Sequence, residues 1–190
     1  MKARRCTVIA FLGLLGAFSL GCEAGSSSSD GAAGAAESEG VCSAVADWSA
    51  EHAAIEALVV VEVNLRRAEG ADCNTGGVFE PADPLTMNSQ LQCAARLHSL
   101  DMLNRNFFDH VNPDEEEPWD RITETGYQWG TAGENIAAGQ QSAKEVVAGW
   151  MASDGHCSNI MGPDFTEIGV GFVQGGDFGT LWTQVFASPF

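Results

Sequence analysis

His110, Glu134 and His156 are the residues of this chain whose types could do chemistry together, and each falls in a stretch that reads as a loop or a helix end. Side chains in such places are free to face a cleft. Glu134 stands between Gly133 and Asn135, ahead of the small apolar run Ile136, Ala137, Ala138 and Gly139. A carboxylate beside such a run is expected to be partly buried and to need a partner, for which histidine is the natural choice. Two neutral imidazoles and one carboxylate form the ligand set of an open zinc site. The same trio admits a hydrolytic reading, with Glu134 as general base on a water held between the histidines. A plainer reading also stands, in which the three are unrelated surface or hydrogen-bonding residues.

Two further residues invite chemistry and are better read as structure. His98 lies on the apolar stripe of its helix, so a core histidine with one hydrogen-bond partner is expected. Cys157 adjoins His156, but neighbours in a helical turn point about 100° apart and rarely face each other as nucleophile and base.

The elements that must position these residues follow from periodicity. Ser49–Ala68 has Ile55, Leu58, Val59 and Val63 at helical spacing, with Gly70 at the end. Residues 71–87 read as loop. Asn88 caps a helix to about Asn106 with a buried stripe of Leu91, Ala94, Ala95, His98 and Met102. Pro118 suits the first position of a short helix closed by Gly126. Ser142 and Glu145 form a capping box before Val146, Val147, Trp150 and Met151, in a helix that should stop near Ser153. A further turn covers 156–161. Ile168, Val170 and Phe172 alternate with Gly169, Gly171 and Val173 as in a strand, and 180–186 returns as the second strand of a hairpin. Helices in the middle and strands at the end predict an α+β layered domain.

The front of the chain reads differently. Lys2, Arg4 and Arg5 precede the short apolar stretch Thr7–Leu20, which has the length and flanks of a signal peptide and is short for a membrane span. Ser19, Leu20, Gly21 and Cys22 resemble a lipobox, which implies a signal over 1–21 and a lipidated Cys22. Residues 23–40 contain no aromatic or branched aliphatic residue and read as an acidic tether to a domain at 41–190. The expected location is the cell envelope, on its periplasmic or extracellular face, with the lipid as membrane anchor.

Removal of the leader takes the formal net charge from −17 to −20 and leaves six Lys or Arg. That balance excludes a phosphate-tracking nucleic-acid binder and disfavours attraction to anionic lipid. Cys42, Cys73, Cys93 and Cys157 remain, an even number in an exported domain, as in a disulfide pair. Three connectivities are open, and the reading leans to Cys93–Cys157 with Cys42–Cys73 bracketing the first helix.

His110, then Gly133 to Ala137, then Trp150 to Ile160 with Gly155, His156 and Asn159, then Phe165 to Gly171, then Trp182 to Phe186 together resemble the bacterial branch of the CAP superfamily. This superfamily includes the cysteine-rich secretory, antigen 5 and pathogenesis-related 1 proteins. Asn64 and Arg67 resemble its opening pair. The resemblance, over about residues 55–187, implies a three-layer α-β-α sandwich with a small antiparallel sheet and a cleft of two histidines and two acids. By motif, His110, Glu134 and His156 take three of those places. The second acid's place is Ser153, so either neighbouring Asp154 substitutes or the site has three members. The resemblance implies an envelope binding module with a cleft able to hold a divalent ion such as zinc. Its partner would be a lipid, a small molecule or an envelope protein. The alternatives are a peptidase-like hydrolase and a passive envelope domain.

Overall fold

The computed structural model describes residues 40–190, so the expected signal peptide, Cys22 and nearly all of the tether lie outside the described residues. A 3-10 turn at Ser43–Val45 leads into α1 (Ala50–Glu69). Ser49 caps this helix by accepting from the His52 N–H, as its type predicts, and Gly70 ends it. The buried stripe of α1 is Glu56, Val59, Val63 and Arg67, so two charges share it with two valines. Leu58, Val61 and Leu65 face outward, more than half exposed, which corrects the place of Leu58 in the expected apolar face.

Residues 71–87, expected as loop, contain the short pair β1 (Ala71–Asp72) and β2 (Val78–Phe79), then β3 (Thr86–Met87). Next comes α2 (Ser89–Arg105), where Asn88 Oδ1 accepts from the N–H groups of Gln90 and Leu91. All five residues of its expected stripe are buried. The short α3 (Pro118–Glu124) begins on its proline.

β4 (Trp129–Ala138) is the main departure from the sequence reading, since Glu134, expected in a loop or at a helix end, stands in the middle of a ten-residue strand. Gly130, Gly133 and three alanines give it little intrinsic strand preference, and tertiary pairing supplies what propensity does not. After it come α4 (Ala143–Met151) and α5 (Asp154–Met161), the second starting two residues before the expected turn. The hairpin β5 (Glu167–Gly175) and β6 (Gly179–Pro189) closes the chain.

The main sheet has the order β3-β5-β6-β4, with β3 parallel to β5 and the other pairs antiparallel. β1 and β2 form a separate small antiparallel sheet. Strand alternation divides the sheet into two faces. Ile168, Val170, Phe172, Trp182 and Phe186 pack beneath α1, α4 and α5. Val185 and Ala187 meet Leu91, Ala94 and Ala95 of α2 and Ile122 of α3. The three layers are therefore helices, sheet and helices. Gly169 and Gly171 let the second helical layer sit close: a Cβ at either would lie 2.0–2.3 Å from the nearest backbone atom, at Leu91 or Ala95 of α2.

The cysteines pair as Cys42–Cys93 and Cys73–Cys157, which overturns the expected Cys93–Cys157 and Cys42–Cys73. Cys93 lies on α2 and Cys157 on α5, in layers on opposite sides of the sheet, so they cannot meet. One bond ties the chain's entry to α2, and the other ties the Asn74–Gly76 turn to α5.

Candidate functional site: an imidazole on a buried ion pair at the sheet edge

β4 is an edge strand, and consecutive residues of a strand point to opposite faces. Glu134 and Asn135 therefore reach into different layers, and each holds one histidine-bearing segment. Glu134 points toward α2 and α3. Its Oε1 accepts from His110 Nδ1 at 2.8 Å, and Arg121 Nη2 donates to Oε2 at 3.0 Å. Asn135 points toward α5. Its Nδ2 donates to the His156 carbonyl at 3.1 Å and to Gln184 Oε1 at 3.2 Å, and its Oδ1 accepts from Asn159 Nδ2 at 2.8 Å.

Arg121 is the residue that sequence reasoning missed. Its side chain is 6% exposed, and besides Glu134 it donates to the carbonyls of His110 at 2.9 Å and Glu116 at 3.0 Å. One guanidinium thus fixes the carboxylate and the loop that carries the histidine. A signal was present, because Arg121 is the only Lys or Arg between Arg105 and Lys144, and a buried carboxylate asks for a cation. The loop is also shaped from within, as Asn112 Oδ1 accepts from the N–H groups of Asp114 and Glu116.

The histidines occupy three different environments. The His110 side chain is 43% exposed, and its bond to Glu134 raises its pKa. His98 is fully buried as expected, with a single partner, the Asp109 carbonyl at 3.0 Å from Nε2. Its Nε2 also lies 3.9 Å from Glu134 Oε1. Burial pushes its pKa down to about 4 and outweighs the nearby carboxylate. His156 is half-buried, and its pKa is lowered by burial and then by the charge of His110. Among the described residues its ring makes no hydrogen bond.

A cleft of about 420 Å³ opens along the outer edge of β4. His110, Val111, Pro118, Trp119, Glu134 and Asn159 line it. Trp119 is 40% exposed, an aromatic surface facing the opening. His156 does not line this cleft, and neither do Ser153 and Asp154, the expected stand-ins for a second acid. The Asp154 carboxylate is turned to the Asn74–Gly76 turn, where it accepts from the Thr75 hydroxyl and N–H and from Asn74 Nδ2. Those bonds lower its pKa. Ser153 occupies the cap position of α5 without a side-chain capping bond. Among the described residues no group of three or more His, Cys, Asp or Glu is placed to hold a metal ion. Glu134 already carries the Arg121 guanidinium, whose fixed positive charge opposes a second cation on the same carboxylate.

Comparison with known proteins bears on the fold that carries this site. Residues 80–186, which hold β4, α5 and all three histidines described above, match the CAP model, the cysteine-rich secretory protein family. The protein YkwD of Bacillus subtilis (strain 168) is 47% identical over 103 residues, 54% of this chain and 39% of the relative. The membrane protein YlbC of the same organism is 38% identical over 74 residues, 39% of this chain and 21% of the relative. This chain therefore spans well under half the length of either relative. Among solved structures, an extracellular protein containing a SCP domain from Bacillus anthracis superposes with a TM-score of 0.50 at 33% identity, covering 56% of this chain and 34% of that one. An outer surface protein of Borrelia burgdorferi shares the fold at a TM-score of 0.53 and 18% identity, with 57% of this chain and 80% of that one covered. With the family model covering more than half of its length, and the layers and sheet edge in place, this chain belongs to the CAP, or cysteine-rich secretory protein, family.

Proposed function

We propose that this protein is an exported, envelope-anchored binding module whose ligand enters the cleft beside β4. The observation that carries the reading is the chain Arg121, Glu134, His110, in which a buried ion pair holds one imidazole toward an apolar, aromatic-rimmed opening. With Nδ1 tied to Glu134, the His110 ring keeps Nε2 for whatever enters, and its orientation is fixed in advance. Export and anchoring rest on the leader, Cys22 and the tether, and on likeness to a protein described as extracellular. Among the described residues no helix is long and apolar enough to cross a membrane.

A divalent ion such as zinc would be met in the cleft by the His110 imidazole, with Glu134 orienting that ring from behind, and would need His156, which lies outside the cleft lining, as a second ligand. It would supply a Lewis-acidic point in the cleft. Titration of Zn²⁺ into the disulfide-bonded protein, beside the His110→Ala/His156→Ala double variant, tests this. Saturable binding lost in the variant supports the ion site, and equal behaviour of the two proteins removes it. A hydrolase with Glu134 as general base gains no support, because that carboxylate is already engaged by a guanidinium. Turnover of a peptide, ester or glycan substrate that vanished in Glu134→Gln would reverse this ranking.

A further inference from the structure

The edge of β4 carries more than its side chains. In an antiparallel ladder, alternate residues turn both N–H and C=O to the neighbouring strand or both away from it. The Gly139 N–H donates to the Thr180 carbonyl at 3.0 Å, which sets the phase: odd-numbered residues of β4 bond to β6, and even-numbered ones turn outward. Two outward carbonyls are capped from within the molecule. Asn159 Nδ2 donates to the Glu134 carbonyl at 3.2 Å, and Trp150 Nε1 donates to the Ile136 carbonyl at 3.0 Å. The Ala132 N–H, the Ala132 carbonyl and the Glu134 N–H have no such cap among the described residues. These three groups lie at the floor of the cleft, which Ala132, Gly133 and Glu134 help to line.

Natural sheets usually blunt an open edge with a charge, a proline or a covering segment. Gly130, Thr131, Ala132 and Gly133 carry neither a charge nor a proline, and the one irregularity of the edge, a register shift between Trp129 and Thr131, precedes Ala132. The walls beside them come from opposite layers, with Val111, Pro118 and Trp119 on one side and Asn159 on the other. We infer that the cleft takes an extended peptide segment of another protein, added as a fifth strand on the outer edge of β4. The inference rests on the binding-module reading and narrows its ligand to polypeptide. A peptide main chain offers a donor and an acceptor on one edge every second residue, the pattern that the free groups of Ala132 and Glu134 require. Its alternate side chains would meet the Trp119 wall and the Asn159 wall in turn. Lipids and simple sugars carry no such repeat.

The test uses the full exported protein with both disulfides formed and an array of immobilised octapeptides of varied sequence. The strongest binder is then remade in solution with one N-methyl group at each backbone nitrogen in turn. Strand addition predicts a period of two, with at least tenfold weaker binding at every second position and little change between. It also predicts at least tenfold weaker binding to Ala132→Pro. Proline there removes an outward N–H and leaves the ladder to β6 intact, as edge strands tolerate. Ala138→Pro, outward at the far end of the same strand, should bind like the parent, and both variants should keep its unfolding midpoint. Three results would overturn the inference: no binder in the array, a loss pattern without the two-residue period, or full affinity in a folded Ala132→Pro. A binder weakened by Trp119→Ala but indifferent to Ala132→Pro would leave the cleft as a binding site and remove only strand addition. Concentration-dependent dimers lost in Ala132→Pro, with no peptide bound, would overturn it too and assign the edge to a second copy.

Discussion

Glu56 and Glu134 are both buried carboxylates paired with an arginine, and they do opposite things. Glu56 lies on the buried stripe of α1, wholly enclosed. It accepts from Trp48 Nε1 at 2.8 Å, Gln92 Nε2 at 3.0 Å, Arg96 Nη2 at 2.6 Å and the Phe172 N–H at 3.1 Å. Arg96 also lies over the Trp48 ring, 5.0 Å from its centroid. Every partner is part of the frame, so this carboxylate joins the chain's entry, α1, α2 and β5. Glu134 has fewer partners, and one of them, His110, reaches solvent. A saturated buried carboxylate fixes structure, whereas one whose partner faces an opening holds that partner in a set orientation toward the opening.

Substitutions can separate these roles. Glu56→Ala strips the partly buried Arg96 guanidinium of its charge partner and three other donors of their acceptor. It should cost about 3–5 kcal/mol in urea unfolding, more than any other change considered, while the molecules that stay folded bind as before. A retained midpoint would mean that the hub is dispensable.

Acidification should weaken the protein through His98. Folded, its pKa is about 4 against an ordinary 6.5, so between those values the unfolded chain binds more protons. Stability is then full above about pH 6.5 and falls as pH drops toward 4, by about 3 kcal/mol. His110 runs the other way: its folded pKa is raised, so its contribution is present below its ordinary value and lost as pH rises through the folded one. His98→Gln, which keeps a donor near the Nε2 position, should flatten the acid limb when unfolding midpoints are compared at pH 7 and pH 4.5.

Arg121→Met leaves Glu134 facing the interior without its cation and releases the His110 carbonyl. A loss of about 1–3 kcal/mol is expected, together with weaker binding in the cleft, measured by titration against the parent. Trp119→Ala should be nearly silent in stability, within about 0.5 kcal/mol, and visible only in affinity. If it destabilised the fold as much as Arg121→Met, Trp119 would belong to the frame rather than to the cleft.

The residues of this chain are unequally legible from sequence. Asn88, Ser142 and Pro118 act on backbone groups within three residues, so their helix starts could be read directly. His98 was legible as a core histidine because its helix is amphipathic. The register of Ile168, Val170 and Phe172 against the glycines was legible for the same kind of reason. β4 was not, since its residues favour a strand only when β6 is already beside them. Arg121 was hidden in a short acidic helix, because its partner Glu134 is thirteen residues away and meets it only across folded layers.

Local periodicities, helix caps, the family pattern around Glu134 and His156, and an even set of four cysteines in the folded part could all be read along the chain. Three things could not: which cysteines pair, that Asp154 turns to Thr75 and not to the cleft, and that Glu134 meets Arg121 as well as His110. What divides the two groups is separation along the chain. Caps and helical stripes are set by neighbours a few residues apart, whereas pairings across 51 and 84 residues depend on which layers the sheet holds together.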